Sequence, residues 1–169
     1  MVTGCAGFIG SHFTDLLSKK YNVVGVDLMT YASKTENMSQ FEDKIDFYKA
    51  DIADFASIEK IVKSHKIDWI INFAAETHVD NSINDVYPFI DSNIIGTVNL
   101  LDLSVKYNVE RFHHISTDEV YGALDYGDPP FTEDTPYNPQ NPYSASKAAS
   151  DHFVMSYHCL LYTSPSPRD

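Results

Sequence analysis

The chain has 169 residues, 43% hydrophobic and 21% charged, which is enough apolar material for one domain-sized core and too much for a disordered segment. Twelve basic against 24 acidic residues give a net charge of −12, which argues against nucleic acid and anionic membrane as partners. No apolar run approaches the ~18 residues of a membrane span and no signal-like segment opens the chain, so the expected location is cytoplasmic.

Residues 2–3 read as the stub of a first strand ahead of a glycine-rich turn. Residues 11–20 read as a helix, with Phe13, Leu16 and Leu17 at helical spacing and Lys19 and Lys20 near its end, where cations suit the helix dipole. Residues 22–27 and 45–52 read as strands. Residues 53–65 follow as a helix with Ile58, Ile61 and Val62 on one face. A strongly apolar strand is predicted over 67–75, a long helical stretch over 83–108 and a further strand over 111–116. Residues 121–141, rich in Pro, Asp, Gly and Tyr, read as a surface loop, and 142–158 as a last helix. Strands alternating with helices predict parallel βαβ units: a doubly wound α/β sheet of the Rossmann type, with ligands bound at the carboxyl ends of the strands.

Residues 159–169 break the last helical pattern with a Ser-Pro-Ser-Pro composition. Back-translated, they resemble the end of a transposon-based sequencing adapter read in frame; the other reading is a natural Pro-rich linker. The expectation is a native segment over 1–158, with an incomplete first strand, and a non-native tail over 159–169.

Gly4-Cys5-Ala6-Gly7-Phe8-Ile9-Gly10 is GxxGxxG between a strand stub and a helix. In a dinucleotide site the first glycine allows a tight turn and the second lets a pyrophosphate approach the backbone. The third permits close packing, and the helix N-terminus donates N–H groups to the anion. Asp27 ends the second strand about 20 residues later, where a carboxylate accepts from an adenosine ribose and repels a 2′-phosphate. That favours NAD over NADP; a turn or helix-cap aspartate is the other reading. Asp51, before Ile52, either lies beside adenine or caps the helix that begins at Ala53. Phe73, Ala74 and Ala75 close the fourth strand with little bulk, suited to close cofactor approach or to ordinary core.

Tyr143 and Lys147 form YxxxK, on one face of a helix by their i, i+4 spacing. An ammonium beside a phenol favours the phenolate, so Lys147 is expected to lower the Tyr143 pKa. Thr117, Asp118 and Glu119 follow an apolar strand and so sit at the mouth of the site. Two neighbouring carboxyls there can divide acid and base roles. Two cysteines, Cys5 and Cys159, make neither a disulfide framework nor a thiolate metal site. His78, His113 and His114 lack a second cluster to complete a ligand set, and no metal is expected.

From residue 2 to about residue 158 the chain resembles the nucleotide-sugar 4,6-dehydratases of the extended short-chain dehydrogenase class. The resemblance rests on VTGCAGFIGSH, VDLMTYA, ADI, FAAETHVDNSI, SNIIGT, FHHISTDEVYG and NPYSASKAASD. It implies that Tyr143, helped by Lys147, takes the proton from the sugar O4, which Thr117 hydrogen-bonds, while hydride passes from C4 to NAD. Glu119 then removes the C5 proton, Asp118 protonates the departing C6 hydroxyl, and hydride returns to C6. Beyond the glycines and Asp27, it implies cofactor contacts at Phe8, Ile9, Leu28, Thr30, Asp51, Ile52, Phe73, Ala74, Ala75, Thr77 and Ser92, besides Tyr143 and Lys147. Thr77 is also expected to touch the substrate.

The Thr-Asp-Glu triplet fits dehydratases of dTDP-glucose or UDP-glucose. Epimerases lack the Asp–Glu pair, and decarboxylases and GDP-mannose dehydratases typically carry Thr-Ser-Glu. A non-catalytic NAD-binding protein is the alternative from another class. Cys5 stands where a glycine is common in the family and Asn81 where many relatives have arginine. The resemblance also implies a smaller, missing substrate domain and a full-length homodimer built on the helices of 83–108 and 142–158. The 1–158 segment has a single arginine, Arg111, although a nucleotide diphosphate calls for cationic donors.

Overall fold

The computed structural model describes residues 1–158; the expected tail lies outside the described residues. Five parallel strands, β1 (Val2–Thr3), β2 (Val24–Asp27), β3 (Asp46–Lys49), β4 (Trp69–Asn72) and β5 (Arg111–His114), form one sheet in the order β3-β2-β1-β4-β5. Val2 lies opposite Gly25 on one side and Ile71 on the other. The chain winds outward from β1 through β2 to β3, then crosses to β4 and β5. The order therefore reverses between β1 and β4, where such sheets open a crevice at their carboxyl ends.

The helices are α1 (Phe8–Ser18), α2 (Phe55–Ser64), α3 (Val79–Asn84), α4 (Tyr87–Phe89), α5 (Thr97–Lys106) and α6 (Pro142–His158). Alternation along the strands feeds two cores. Val24, Val26 and Ile70 pack with Ile58, Ile61 and Val62 of α2 and with Leu100 and Leu103 of α5. Val2, Val23 and Ile71 point the other way, onto Phe13 and Leu17 of α1. Both faces of the sheet are thus covered, as the alternating pattern predicts. Each fully buried Leu or Ile contributes ~1.5–3 kcal/mol, so α2 and α5 are held by packing more than by propensity.

Several boundaries differ from the sequence expectation. α1 begins at Phe8, because Gly7 is its extended N-cap (φ −72°, ψ 169°). The expected helix over 83–108 is interrupted: α3 ends at Asn84 and Asp85 is extended, with its Oδ1 accepting from the Tyr87 N–H at 3.1 Å. The chain then re-enters helix at Tyr87-Pro88 and runs from α4 through a π-helical stretch, Ile90–Gly96, into α5. Before the break Ile83 is exposed, and the buried apolar face begins only after it, at Phe89. At Gly96 a Cβ would stand 2.5 Å from the Ile52 side chain, so the glycine lets this helix press onto the end of the third βα unit. No helix among the described residues is long and apolar enough to cross a membrane.

Candidate cofactor and catalytic site

Gly4 follows β1 with φ +69°, its N–H donating to the Val26 carbonyl at 2.8 Å. A Cβ there would meet the Ala74 nitrogen at 2.7 Å, and one at Gly10 would meet the Gly4 oxygen at 2.1 Å. These two glycines are required by the fold. Gly7 is different: a Cβ would meet only the Gly4 oxygen, at 3.4 Å. Its lack of a side chain keeps open the space above the first turn of α1, whose N–H groups have no intrahelical partners. Phe8 and Ile9 open that turn and are 76% and 66% exposed.

Asp27 is buried at the end of β2. Its Oδ2 accepts from the Ala6 N–H at 2.9 Å, and its Oδ1 from the Met29 N–H at 2.8 Å and the Ser33 hydroxyl at 2.7 Å. It is therefore a turn aspartate, tying the glycine turn to the loop after β2. It also faces a cavity of about 310 Å³ lined by Gly4, Gly7, Leu28, Thr30, Asp51, Ile52, Phe73, Ala74, Ala75 and Ser92. Three protein donors leave the carboxylate with acceptor capacity to spare. Asp51 does not cap α2. Its Oδ1 accepts from the Ala53 N–H at 2.8 Å, and the cap of α2 is Asp54, which accepts from the Ser57 N–H at 3.2 Å. The structure thus brings most of the expected cofactor residues to one cleft. Thr77 is exposed in the loop after β4 and does not line it, nor do Phe8, Ile9, Gly10, Tyr143 and Lys147.

The catalytic candidates gather at the same end of the sheet. Thr117 caps the short 3-10 turn Asp118–Tyr121, accepting from the Glu119 N–H at 3.3 Å. Tyr143, 7% exposed, sits in the first turn of α6, and its N–H donates to the Ser82 hydroxyl at 3.2 Å. The Thr117 hydroxyl hydrogen-bonds Tyr143 and draws its pKa down, but burial dominates, and Glu119 and Asp118 add to it, so the phenol titrates above its usual range. The expected lowering by Lys147 is not found. Lys147, 3% exposed, turns its Nζ to the Ile115 carbonyl at 2.6 Å and to His114 Nε2 at 3.4 Å. Its ammonium is spent on the end of β5 and not on the phenol. Burial brings its pKa down to about 8, against the opposing charge of Asp151.

Beneath Lys147 lies a polar layer that motif reading does not reveal. His114 Nδ1 meets Asn72 Nδ2 at 3.3 Å, and its Nε2 meets the Ser150 hydroxyl at 3.3 Å. Burial, then Lys147 and His113, push its pKa to about 3. Asp151 accepts from Ser116 at 2.6 Å and Tyr137 at 3.1 Å. Asn93 is a second unforeseen organiser. Its Oδ1 accepts from the Glu76 N–H, and its Nδ2 donates to the Glu76 carbonyl, both at 2.9 Å, and to Ser146 at 2.8 Å. The signal that could have found it is an asparagine set among the apolar residues of 83–108. Across the cleft, Tyr31 donates to Glu76 at 2.9 Å and accepts from Asn81 at 3.3 Å. Among the described residues, no group of three His, Cys, Asp or Glu side chains is placed to hold a metal.

A family model described as GDP-mannose 4,6 dehydratase matches residues 1–163. A dTDP-glucose 4,6-dehydratase of Xanthomonas campestris pv. campestris is 44% identical over 170 aligned positions, covering 94% of this chain and 48% of the relative. Among solved structures, a dTDP-glucose 4,6-dehydratase from Bacillus anthracis in complex with NAD superposes with a TM-score of 0.84 at 39% identity, over 95% of this chain and 50% of that one. A UDP-glucose 4-epimerase from Thermus thermophilus, also complexed with NAD, gives 0.84 at 32% identity, over 93% and 50%. The chain spans about half the length of the curated relatives it matches.

Proposed function

This chain belongs to the GDP-mannose 4,6 dehydratase family, and from that premise we propose that it is the cofactor-binding and catalytic half of an NAD-dependent dTDP-glucose 4,6-dehydratase. The observation that carries this reading is the Thr117–Tyr143 hydrogen bond, with the Glu119 charge acting on the same phenol, at the carboxyl ends of the same strands that hold the cleft of Gly4, Gly7 and Asp27. The Asp118–Glu119 pair and the 44% identity to a named dTDP-glucose 4,6-dehydratase support the dehydratase chemistry and the dTDP substrate.

The residues fit NAD. The open space over Gly7 and the free amides of α1 suit a pyrophosphate, which Phe8 and Ile9 would flank. Asp27 would hold the adenosine ribose, and Leu28, Asp51 and Ile52 would border the adenine. Thr30, Ala74, Ala75, Thr77 and Ser92 would complete the contacts. When bound, NAD supplies reversible hydride acceptance, from C4 and back to C6 of the sugar. The chain's own residues manage the protons. Tyr143 takes the O4 proton, with Thr117 bonding that oxygen and Lys147 fixing the helix below. Glu119 accepts the C5 proton, and Asp118 protonates the C6 hydroxyl, which departs as water.

Residues 1–158 form the native NAD-binding domain in this reading, residues 159–169 are a non-native tail, and a further domain supplies the nucleotide site. The whole protein works in the cytoplasm as a homodimer, for which α5 and α6 offer the exposed Val105, Phe153 and Met155. Full-length enzyme given dTDP-glucose should form a 4-keto sugar, read by its absorbance in alkali, with no net NADH. Glu119→Gln should lower product formation by at least ~100-fold, the scale of general-base catalysis. Steady accumulation of NADH would contradict the dehydratase reading, and release of carbon dioxide from UDP-glucuronate would select a decarboxylase.

A further inference from the structure

Asn141 stands between the helix that carries Tyr143 and the turn that carries Glu119. Its Oδ1 accepts from the Ser144 N–H at 2.8 Å, and its own N–H donates to the Ser144 hydroxyl at 3.2 Å. The Ala145 N–H donates to the Asn141 carbonyl at 2.9 Å. This reciprocal pair is a capping box for α6, with Pro142 at the first helical position, where its missing N–H costs nothing. Because Oδ1 is committed to the helix, the other end of the carboxamide must be the donor. That end, Nδ2, reaches Glu119 Oε2 at 3.1 Å. No described residue bonds Glu119 Oε1, which leaves one carboxylate oxygen for a ligand proton.

Among good helix caps only asparagine does both jobs. Serine and aspartate cap equally well. Serine, however, has one short hydroxyl, and aspartate would set a second carboxylate against Glu119. We propose that Asn141 is a positioning residue for the catalytic base: one side chain starts the helix of Tyr143 and Lys147 and also holds the Glu119 carboxylate at a set place beside Tyr143. The proposal rests on the reading of Glu119 as the base.

The test compares Asn141→Ser and Asn141→Asp in the full-length enzyme, with Glu119→Gln and Glu119→Asp as references. Both Asn141 variants keep the cap, so Asn141→Ser should melt within about 2 °C of the parent, while Asn141→Asp should melt lower because of its charge against Glu119. Dehydration kcat should fall about tenfold, with KM within about twofold, the scale of one hydrogen bond to a charged group. In Glu119→Asp, whose shorter side chain no longer reaches Asn141, adding Asn141→Ser should cost nothing further. A parent-like kcat in Asn141→Ser overturns the proposal. So does an equal loss in the Glu119→Asp background, or a kcat loss that tracks melting temperature. If Glu119→Gln leaves kcat unchanged, the assignment of the base fails first, and the proposal falls with it.

Discussion

His114 shows at the residue scale how burial sets protonation. It is enclosed beneath Lys147, and its pKa of about 3 keeps it neutral at ordinary pH. Its 3.5 Å approach to Asp151 is therefore a polar contact and not an ion pair. The unfolded imidazole titrates near 6.5. Between ~6.5 and ~3 the unfolded chain holds a proton that the folded one does not, so this group makes stability fall as pH falls through that window. At ~pH 5 the loss is about 2 kcal/mol. His114→Asn should remove that part of the acid slope, measured by urea titration at ~pH 7 and ~pH 5. The same slope in parent and variant would show that His114 is not held neutral. Lys147, lowered to about 8, is the parallel case on the alkaline side. There the unfolded ammonium keeps its proton longer, so this group makes stability rise as pH climbs from ~8 toward ~10.4.

Within the first βα element, three glycines of one motif carry different duties. Gly4 and Gly10 are demanded by contacts inside the protein, whereas Gly7 borders only the cleft. Gly10→Ala should destabilise the fold by about 1–3 kcal/mol, because its Cβ would have to displace backbone. Gly7→Ala should change stability by less than ~1 kcal/mol, the difference between glycine and alanine at an N-cap. It should nonetheless weaken NAD binding at least ~10-fold, because it fills the pyrophosphate approach. Urea melts and a fluorescence titration with NAD separate the two effects. Parent-like NAD affinity in Gly7→Ala would remove the phosphate cradle from the account. The interruption at Asp85 belongs to this scale as well. It is written in the Asp-Val-Tyr-Pro run, where the Asp85 side chain accepts from the Tyr87 N–H in a turn just ahead of the new helix and a proline enters its first turn.

Over the whole molecule, parallel strands place every functional loop at one end of the sheet. The turn after β1, Asp27, the Ala74-Ala75 segment and Ser116 to Glu119 all leave carboxyl ends. Arg111, the single arginine of 1–158, starts β5 at the opposite end and stacks 4.6 Å over the Trp69 ring. It is not placed to meet a diphosphate in the cleft. We propose that the guanidinium donors for the nucleotide come from the further domain. The 169-residue chain alone should bind NAD, measured by calorimetry, and give no 4-keto sugar from dTDP-glucose. Turnover by this chain alone would refute that division of labour.

Sequence by itself determined the features whose parts lie close along the chain. The glycine turn, the strand-ending Asp27, the Tyr143–Lys147 spacing and the alternation that buries Val24 and Val26 are all read within one element. Their chemistry needs set residue types at short, fixed separations. It also determined the sheet class, because alternating strands and helices close only as parallel units. Tertiary structure decided what depends on distant partners. Lys147 turns to a carbonyl 32 residues away, Asn93 reaches Ser146 53 residues on, and Asn141 meets Glu119 22 residues back. Each is a donor that must find an acceptor in a place water has left, and only the packed sheet specifies which acceptor that is.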